Sequence, residues 1–306
     1  MIEDSLDRSY PDRSDVDTWL DSIWSLVHSV PFNAELLSDQ GFSHNLGIRH
    51  TPGFQYVRFS PASMPEFYGY WQPSRSCPAP LLVHVPGYGA EMSAHPDVVA
   101  AGFTVLHISP LGYSTPKGAD EKKQRDGDWP VLPDTILSRG EKGYKEWLAE
   151  CAMAIGWALS QPETIDNRIS FFGTSQGGGG ALLLSSLFYN MGVRCVAADV
   201  AFLTDFQNAP NQGAYAMFSE VVNAAKDKDS AWHAAGLIDT LSHVHRLDLP
   251  VLLTAGGADE TCPADTIETL FERLPGTRSY TYLKNTGHRY TTEFIPLATA
   301  WFRLYA

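Results

Sequence analysis

Residues 168–187 read RISFFGTSQGGGGALLLSSL and contain the most specific pattern in the chain. It begins as a short apolar run, passes through Gly173-Thr174-Ser175-Gln176-Gly177, and continues into an apolar segment long enough for a helix. A G-x-S-x-G turn between a strand and a helix is typical of a nucleophile elbow, in which glycines leave room for neighbouring backbone and the serine stands on a sharp corner. We therefore predict that Ser175 is a nucleophile.

Two alternatives to the nucleophile elbow arise from the glycine content of this turn. A loop that cradles a phosphate group would need a Lys-Ser or Lys-Thr pair after the glycines, and the chain continues with Ala181 and Leu182 instead. A chance match to G-x-S-x-G is the other alternative. The predicted strand before the turn and the predicted helix after it argue against chance.

Apolar runs typical of buried strands recur along the chain and alternate with helical segments. The predicted strands are 80–85, 103–108, 168–172, 193–198, 250–255 and 278–283, and the predicted helices are 144–160, 176–190, 264–274 and 291–305. This alternation predicts a mostly parallel sheet with helices on both faces. Together with the elbow it predicts an α/β-hydrolase fold.

The chain is expected to divide into an N-terminal helical extension, residues 1–50, and an α/β-hydrolase domain, residues 51–306. Two alternating runs between residues 54 and 71 predict a meander of strands ahead of the core. The interval 202–248 lies between two predicted core strands and has its own helical pattern. We expect it to form a cap at the functional edge of the sheet.

A serine hydroxyl needs a base to become nucleophilic, and the base needs an acid to orient it. In this fold the three groups follow the chain order serine, acid, histidine. Asp259 and His288 each come just after a predicted strand, so both are expected at the same sheet edge as Ser175. His288 is the only histidine after Asp259. The alternatives for the acid are Glu260, Asp265 and Asp199.

Attack on a carbonyl group also requires hydrogen-bond donors for the developing oxyanion. The predicted donors are the backbone N–H of Gln176, directly after the nucleophile, and that of Tyr88, in the loop after an earlier core strand. Tyr88, Tyr113, Trp129 and Phe202 are predicted to line the substrate pocket. There they would either narrow the site to a short acyl group or stack on a sugar ring.

Composition excludes several classes of partner. The chain has 22 Lys and Arg against 35 Asp and Glu, a net charge of -13, which disfavours nucleic acid and anionic membrane surfaces. Its acidic start lacks the features of a secretory signal, and no apolar run approaches the length of a membrane span. The four cysteines are far apart, so we expect reduced thiols and a cytoplasmic protein.

His243 and His245 have the spacing of a metal-binding pair. The sequence shows no third ligand beside them, and two histidines in a polar cap segment are more often solvated. We assign no metal, and the chemistry predicted for Ser175 requires no cofactor.

Several of these stretches resemble the acetyl xylan esterase and cephalosporin C deacetylase family. Residues 173–187 resemble the family's elbow, LLVHVPGYGAE at 81–91 its oxyanion loop, and GGADETCPADT at 256–266 its acid loop. The resemblance covers roughly residues 80–288. The chain carries Pro86 where the family usually has histidine, and residues 110–113 (PLGY) where it has an Arg-Gly-Gln motif.

The resemblance implies deacetylation of small acetylated sugars or similar esters. It matches Ser175, Asp259 and His288 to the family's triad, and Tyr88 and Gln176 to its oxyanion donors. It also implies a homo-oligomer. The alternatives are an amidase, a peptidase or a longer-chain esterase on the same fold, and a non-catalytic binding module, against which the complete triad argues.

Overall fold

The computed structural model describes residues 10–37, 55–88, 95–112, 114–115, 118–119, 142–289 and 292–306. The strands within these ranges are β1 (Phe32–Leu36), β2 (Gln55–Pro61), β3 (Phe67–Gln72), β4 (Ala79–Val85), β5 (Thr104–Ser109), β6 (Ser114–Thr115), β7 (Gly118–Ala119), β8 (Thr164–Thr174), β9 (Val193–Asp199), β10 (Val251–Gly256) and β11 (Arg278–Leu283). The helices are α1 (Arg13–Ser29), α2 (Pro96–Ala100), α3 (Lys142–Leu159), α4 (Gln176–Leu187), α5 (Gly213–Ala224), α6 (Lys228–Gly236), α7 (Ala264–Arg273) and α8 (Phe294–Tyr305), with 3-10 turns at Pro110–Gly112 and Thr240–Arg246.

Nine strands form one sheet in the order β1-β2-β3-β5-β4-β8-β9-β10-β11. The neighbours from β5 to β11 in this order all pair in parallel. The strands β1, β2 and β3 extend the sheet as antiparallel neighbours beside β5. The mostly parallel sheet and its covering helices confirm the predicted α/β-hydrolase fold.

Side chains of the parallel strands alternate between two apolar layers. Leu81, Val83 and Val85 of β4 point into the larger core, which α1, α3, α4 and α7 cover. Leu82 points to the opposite face, into a smaller core covered by α2 and α8. This period of two is the reason why neighbouring residues of one strand serve different sides of the sheet.

The N-terminal segment before the predicted boundary at residue 50 contributes one helix to the larger core and one strand to the main sheet. The apolar stripe of α1, including Trp19, Leu20 and Ile23, is buried in the larger core. The next strand, β1, pairs with β2 in antiparallel register. The sequence pattern of α1 predicted an amphipathic helix but carried no signal for the exposed strand that follows it.

The insertion between β9 and β10 is helical, with α5, α6 and a 3-10 turn. Its anchor is the buried carboxylate of Asp239, which accepts backbone hydrogen bonds from Asp205, Phe206 and Leu241 at 2.9 Å. The hydroxyl of Tyr10 also donates to Asp239. Burial raises the pKa of Asp239, and these hydrogen bonds oppose the rise. Among the described helices, none is both long and apolar enough to cross a membrane.

Glycines let α4 approach the chain that follows β9. A Cβ atom on Gly179 would lie 2.9 Å from Cβ of Leu203 and closer still to the carbonyl oxygen of Phe202. A Cβ atom on Gly180 would lie 2.7 Å from the ring of Trp147 and 3.0 Å from Val85. These contacts explain why glycines are present in the first turns of α4 despite their low helix propensity.

We expect Gly179→Ala to lower the free energy of unfolding by at least about 2 kcal/mol, because the new methyl group overlaps a fixed backbone oxygen. Gly156→Ala is the matched control, since a Cβ on that exposed residue of α3 meets nothing within 4 Å. It should raise the free energy of unfolding by about 0.5–1 kcal/mol through helix propensity. Urea denaturation measures both values, and equal stability of the two variants would contradict this account of α4.

Candidate active site

Ser175 lies at the sharp corner between β8 and α4. Its backbone adopts φ 59° and ψ -123°, a region that a residue with a side chain rarely occupies. The N–H of Ser175 donates to the carbonyl oxygen of Asp199 at 2.8 Å. A Cβ on Gly177 would lie 2.8 Å from the carbonyl oxygen of Pro86 and closer still to that of Val85. The neighbouring backbone therefore holds the corner closed.

The structure brings Ser175, His288 and Asp259 together in one hydrogen-bonded chain. Nε2 of His288 lies 2.9 Å from Oγ of Ser175, and Nδ1 of His288 lies 2.9 Å from Oδ2 of Asp259. The Asp259 side chain is fully buried, whereas that of His288 is 25% exposed. A substrate can therefore reach the serine and the histidine but not the carboxylate.

The acid loop fixes the Asp259 carboxylate on its other side. Oδ1 of Asp259 accepts backbone hydrogen bonds from Thr261 and Cys262, both at 2.8 Å. This loop also pairs with the histidine loop, because the N–H of Ala258 donates to the carbonyl oxygen of Thr286 at 3.0 Å. The two loops follow β10 and β11, which are parallel neighbours, so the sheet delivers the acid and the histidine side by side.

The alternative acids occupy other environments. Asp199 is buried at the end of β9 and accepts hydrogen bonds from Thr174 at 3.1 Å and Thr254 at 2.5 Å. Asp199 therefore links the ends of β8, β9 and β10 next to the corner that carries the serine. Glu260 and Asp265 are exposed. Among the four candidate acids, Asp259 is the one hydrogen-bonded to His288.

Cys262 is a neighbour of the site that the sequence analysis did not select. It is fully buried and follows Asp259 in the acid loop. Burial raises the pKa of its thiol well above the ordinary value, the charge of Asp259 raises it further, and a hydrogen bond with Ser175 opposes these effects. Cys262 is therefore an uncharged thiol beside the serine. Its one signal in the sequence was the Cys-Pro pair of the acid loop.

The two predicted oxyanion donors lie on different segments: Gln176 directly follows the serine, and Tyr88 follows β4. Gln176 is the first residue of α4, where backbone N–H groups point out of the helix end. Its side-chain amide donates to the hydroxyl of Tyr144 at 3.0 Å. Tyr88 is half exposed and follows Gly87, whose Cβ position would lie 3.3 Å from the carbonyl oxygen of Thr174. The loop that carries Tyr88 thus runs directly beside the elbow.

Phe202 lies beside the elbow, largely within the core. Its side chain is 8% exposed and packs against the rings of Phe206 and Tyr215 at 5.7 and 5.0 Å between centroids. Its N–H donates to the carbonyl oxygen of Ser175 at 3.0 Å. Tyr113 and Trp129, the other predicted pocket residues besides Tyr88, lie outside the described residues.

His243 and His245 are held by separate partners. His243 was expected to be solvated, but it is fully buried, because Nδ1 contacts Oγ of Ser186 at 2.9 Å and Nε2 contacts the carbonyl oxygen of Leu237 at 3.0 Å. Burial lowers the pKa of His243 to about 4. His245 contacts Asp17 of α1 at 3.0 Å. Both histidines connect the insertion between β9 and β10 to the rest of the chain.

Solved structures share this fold over nearly the whole chain. Acetyl xylan esterase 1 from Thermoanaerobacterium sp. has a TM-score of 0.76 and 21% identity, covering 97% of this chain and 95% of its own. An acetyl xylan esterase from Paenibacillus sp. has a TM-score of 0.74 and 18% identity, covering 97% and 96%. An acylaminoacyl peptidase from Pyrococcus horikoshii has a TM-score of 0.61 and 14% identity, covering 84% of this chain and 41% of its own.

The sequence also matches a family model, described as acetyl xylan esterase (AXE1), over residues 64–304. This match extends beyond the elbow and the acid loop to most of the chain, and it confirms the resemblance found in the sequence. The chain belongs to the acetyl xylan esterase (AXE1) family and is a serine hydrolase of the α/β-hydrolase fold.

Proposed function

We propose that this chain hydrolyses short-chain carboxylic esters, above all acetate esters of a sugar or another small alcohol, through an acyl-serine intermediate. The observation that carries the proposal is the hydrogen-bonded chain from Ser175 through His288 to the buried Asp259. The family description, acetyl xylan esterase, supports an acetyl group as the acyl part.

In the first half of the reaction, Oγ of Ser175 attacks the ester carbonyl carbon while Nε2 of His288 accepts the hydroxyl proton. The Asp259 carboxylate holds the proton of the imidazole on Nδ1, so that Nε2 has its lone pair free to accept. The same carboxylate stabilises the imidazolium that forms. His288 then donates its proton to the departing alcohol oxygen, and the acetyl group remains on Ser175.

In the second half, a water molecule attacks the acyl-serine carbonyl, and His288 again acts as the base. Collapse of the second tetrahedral intermediate returns the proton to Ser175 and releases the carboxylic acid. No cofactor takes part in these steps. The 25% exposure of the His288 side chain supports access for this water.

The oxyanion of each tetrahedral intermediate is stabilised by the backbone N–H groups of Gln176 and Tyr88 in this proposal. The position of Gln176 at the first turn of α4 supports its role, because the helix dipole favours negative charge there. The close approach of Gly87 to Thr174 supports the role of Tyr88, since Thr174 directly precedes the nucleophile.

The proposed substrate class rests on the aromatic residues predicted for the pocket and on the net charge. Aromatic groups at Tyr88, Tyr113, Trp129 and Phe202 would restrict the acyl group or stack on a sugar ring. The net charge of -13 favours a neutral or cationic small molecule over nucleic acid or an anionic membrane.

We also propose a homo-oligomer and a cytoplasmic location. The four free cysteines support the location, because thiols stay reduced in that compartment.

Ester hydrolysis is tested with p-nitrophenyl esters from acetate to octanoate and with an acetylated sugar. We expect the highest kcat/KM on acetate, and a loss of about 10⁴–10⁶-fold in Ser175→Ala because the nucleophile is gone. Ser185→Ala is the matched control, since its buried hydroxyl bonds within α4 to Ala181 at 2.8 Å, and it should keep wild-type activity.

Each outcome of this panel decides a different part of the proposal. Activity that is highest on esters with longer acyl chains would contradict acetate as the preferred substrate, but it would leave the assignment of Ser175 as nucleophile unchanged. Hydrolysis of anilides in preference to esters would favour an amidase. Activity that survives Ser175→Ala would overturn the assignment of the nucleophile itself.

The role of the acid is tested by Asp259→Asn. We expect kcat to fall by about 10⁴-fold with little change in KM, because an asparagine amide would favour the wrong tautomer of His288. The matched control is Glu260→Gln at the next, exposed position, which should stay within about twofold of wild type. Steady-state kinetics on p-nitrophenyl acetate give both values, and equal effects in the two variants would refute the assignment.

A further inference from the structure

Three histidines meet in the smaller core, on the sheet face opposite α4. His84 lies on β4 and His107 directly beside it on β5, while His95 immediately precedes α2. Their exposed fractions are 3%, 0% and 5%. Three imidazoles packed together inside an apolar layer need an explanation, since each ring carries two polar nitrogens.

The ring nitrogens converge on one another. One nitrogen from each ring lies within 4.8 Å of the other two. The Nδ1 atoms of His84 and His107 contact each other directly. Within the part of the chain that the structure describes, Nε2 of His95 and Nε2 of His107 are buried and have no hydrogen-bond partner. A buried nitrogen without a partner is unfavourable, so this arrangement favours a ligand that accepts lone pairs.

The apolar surroundings of the three rings disfavour a charged imidazole. Burial lowers the pKa of His95 to about 4 and the pKa values of His84 and His107 well below the ordinary value. Burial therefore favours the neutral imidazole, in which one ring nitrogen has a free lone pair. Metal ions compete with protons for such lone pairs, and a ring that is already neutral loses no proton when it binds.

We propose that His84, His95 and His107 form the binding site of a single divalent transition-metal ion, of the class to which zinc belongs. Three imidazoles at about 2.0–2.1 Å, with water or hydroxide as the fourth ligand, complete a tetrahedral site. Ligand nitrogens in such a site are about 3.3 Å apart. On metal binding, the two Nδ1 atoms in contact would move apart. The two ligand nitrogens that lie farthest apart would move closer by roughly 1.5 Å.

Aromatic neighbours limit how the rings can turn. Tyr70 stacks on His107 with 5.1 Å between centroids and 7° between planes, and Phe172 packs against His84 at 4.8 Å and His95 at 5.0 Å. These rings exclude solvent and hold the imidazoles near their present positions. Such a shell is what a metal site needs to fix its ligands.

The place of the site in the fold indicates a structural role. A metal ion there would join β4, β5 and the start of α2, and His84 is two residues before Pro86, where the loop with Tyr88 begins. Ser175 immediately precedes α4, and α4 packs on the other face of the sheet. The site therefore lies outside the reacting centre, and its existence does not depend on the proposed esterase activity.

The competing account is a metal-free cluster in which His84 and His107 share one proton. It predicts that the protein takes up no metal ion at these rings. Metal titration distinguishes the two accounts. Full-length protein is treated with a chelator, desalted, and titrated with Co²⁺ and, separately, with Zn²⁺. Visible absorption reports the Co²⁺ geometry, and calorimetry reports the Zn²⁺ stoichiometry.

We expect one equivalent of each ion to bind and Co²⁺ to give the intense visible bands of a tetrahedral site. At a Zn²⁺ concentration about 100-fold above Kd, the melting temperature should rise by roughly 5 °C. His95→Asn should abolish these effects and still fold, because asparagine is a favoured residue at the start of a helix and His95 makes no capping bond there. The control His233→Asn removes an exposed histidine and should bind as wild type does.

Either of two results would overturn the proposal. The first is wild-type protein that binds neither ion at stoichiometric concentration, which requires no variant to interpret. The second is binding that His95→Asn leaves unchanged, or that His233→Asn removes, since the ion would then sit at surface groups. The readouts are spectra, stoichiometry and melting temperature, so failure of the esterase assay would leave this test unaffected.

Discussion

The contact between the elbow and the end of β4 is the constraint on which the site depends. Backbone atoms of residues 85 and 86 occupy the space where side chains on Gly173 and Gly177 would lie. The corner between β8 and α4 is consequently so tight that Ser175 is held at φ 59° and its hydroxyl projects from the sheet edge. The same contact brings the loop with Tyr88 beside the serine, so one packing interaction positions both.

The remaining parts of the site follow from parallel strand order. The loops after β10 and β11 carry Asp259 and His288, and the buried carboxylate of Asp199 links β8 to β10 through Thr174 and Thr254. Asp199 thus stabilises the strand ends, while Asp259 orients the histidine. The two acids differ in environment: Asp199 accepts from threonine hydroxyls, whereas Asp259 accepts from two backbone N–H groups and His288.

Most of this could be predicted from the sequence, because buried parallel strands and the elbow have strong local patterns. The positions of Ser175, Asp259 and His288 directly after three parallel strands, β8, β10 and β11, were sufficient to bring them together. The exposed strand β1 has no such pattern, so the sequence did not indicate that this N-terminal segment pairs with the sheet. His84, His95 and His107 are far apart in sequence without a metal-binding spacing. The register of β4 against β5 pairs His84 with His107, and the packing of the start of α2 adds His95. The Cys-Pro pair marked the acid loop in the sequence, but the contact of Cys262 with Ser175 depends on the conformation of that loop.

The central claim is that Ser175 is a nucleophile activated by His288. Its most direct test is labelling with a fluorophosphonate, which reacts with activated serines, followed by peptide mass spectrometry. The account predicts one label per chain, located on Ser175, with a rate that falls by at least about 10³-fold in His288→Gln because the base is lost. Labelling at another residue, or an unchanged rate in His288→Gln, would contradict it.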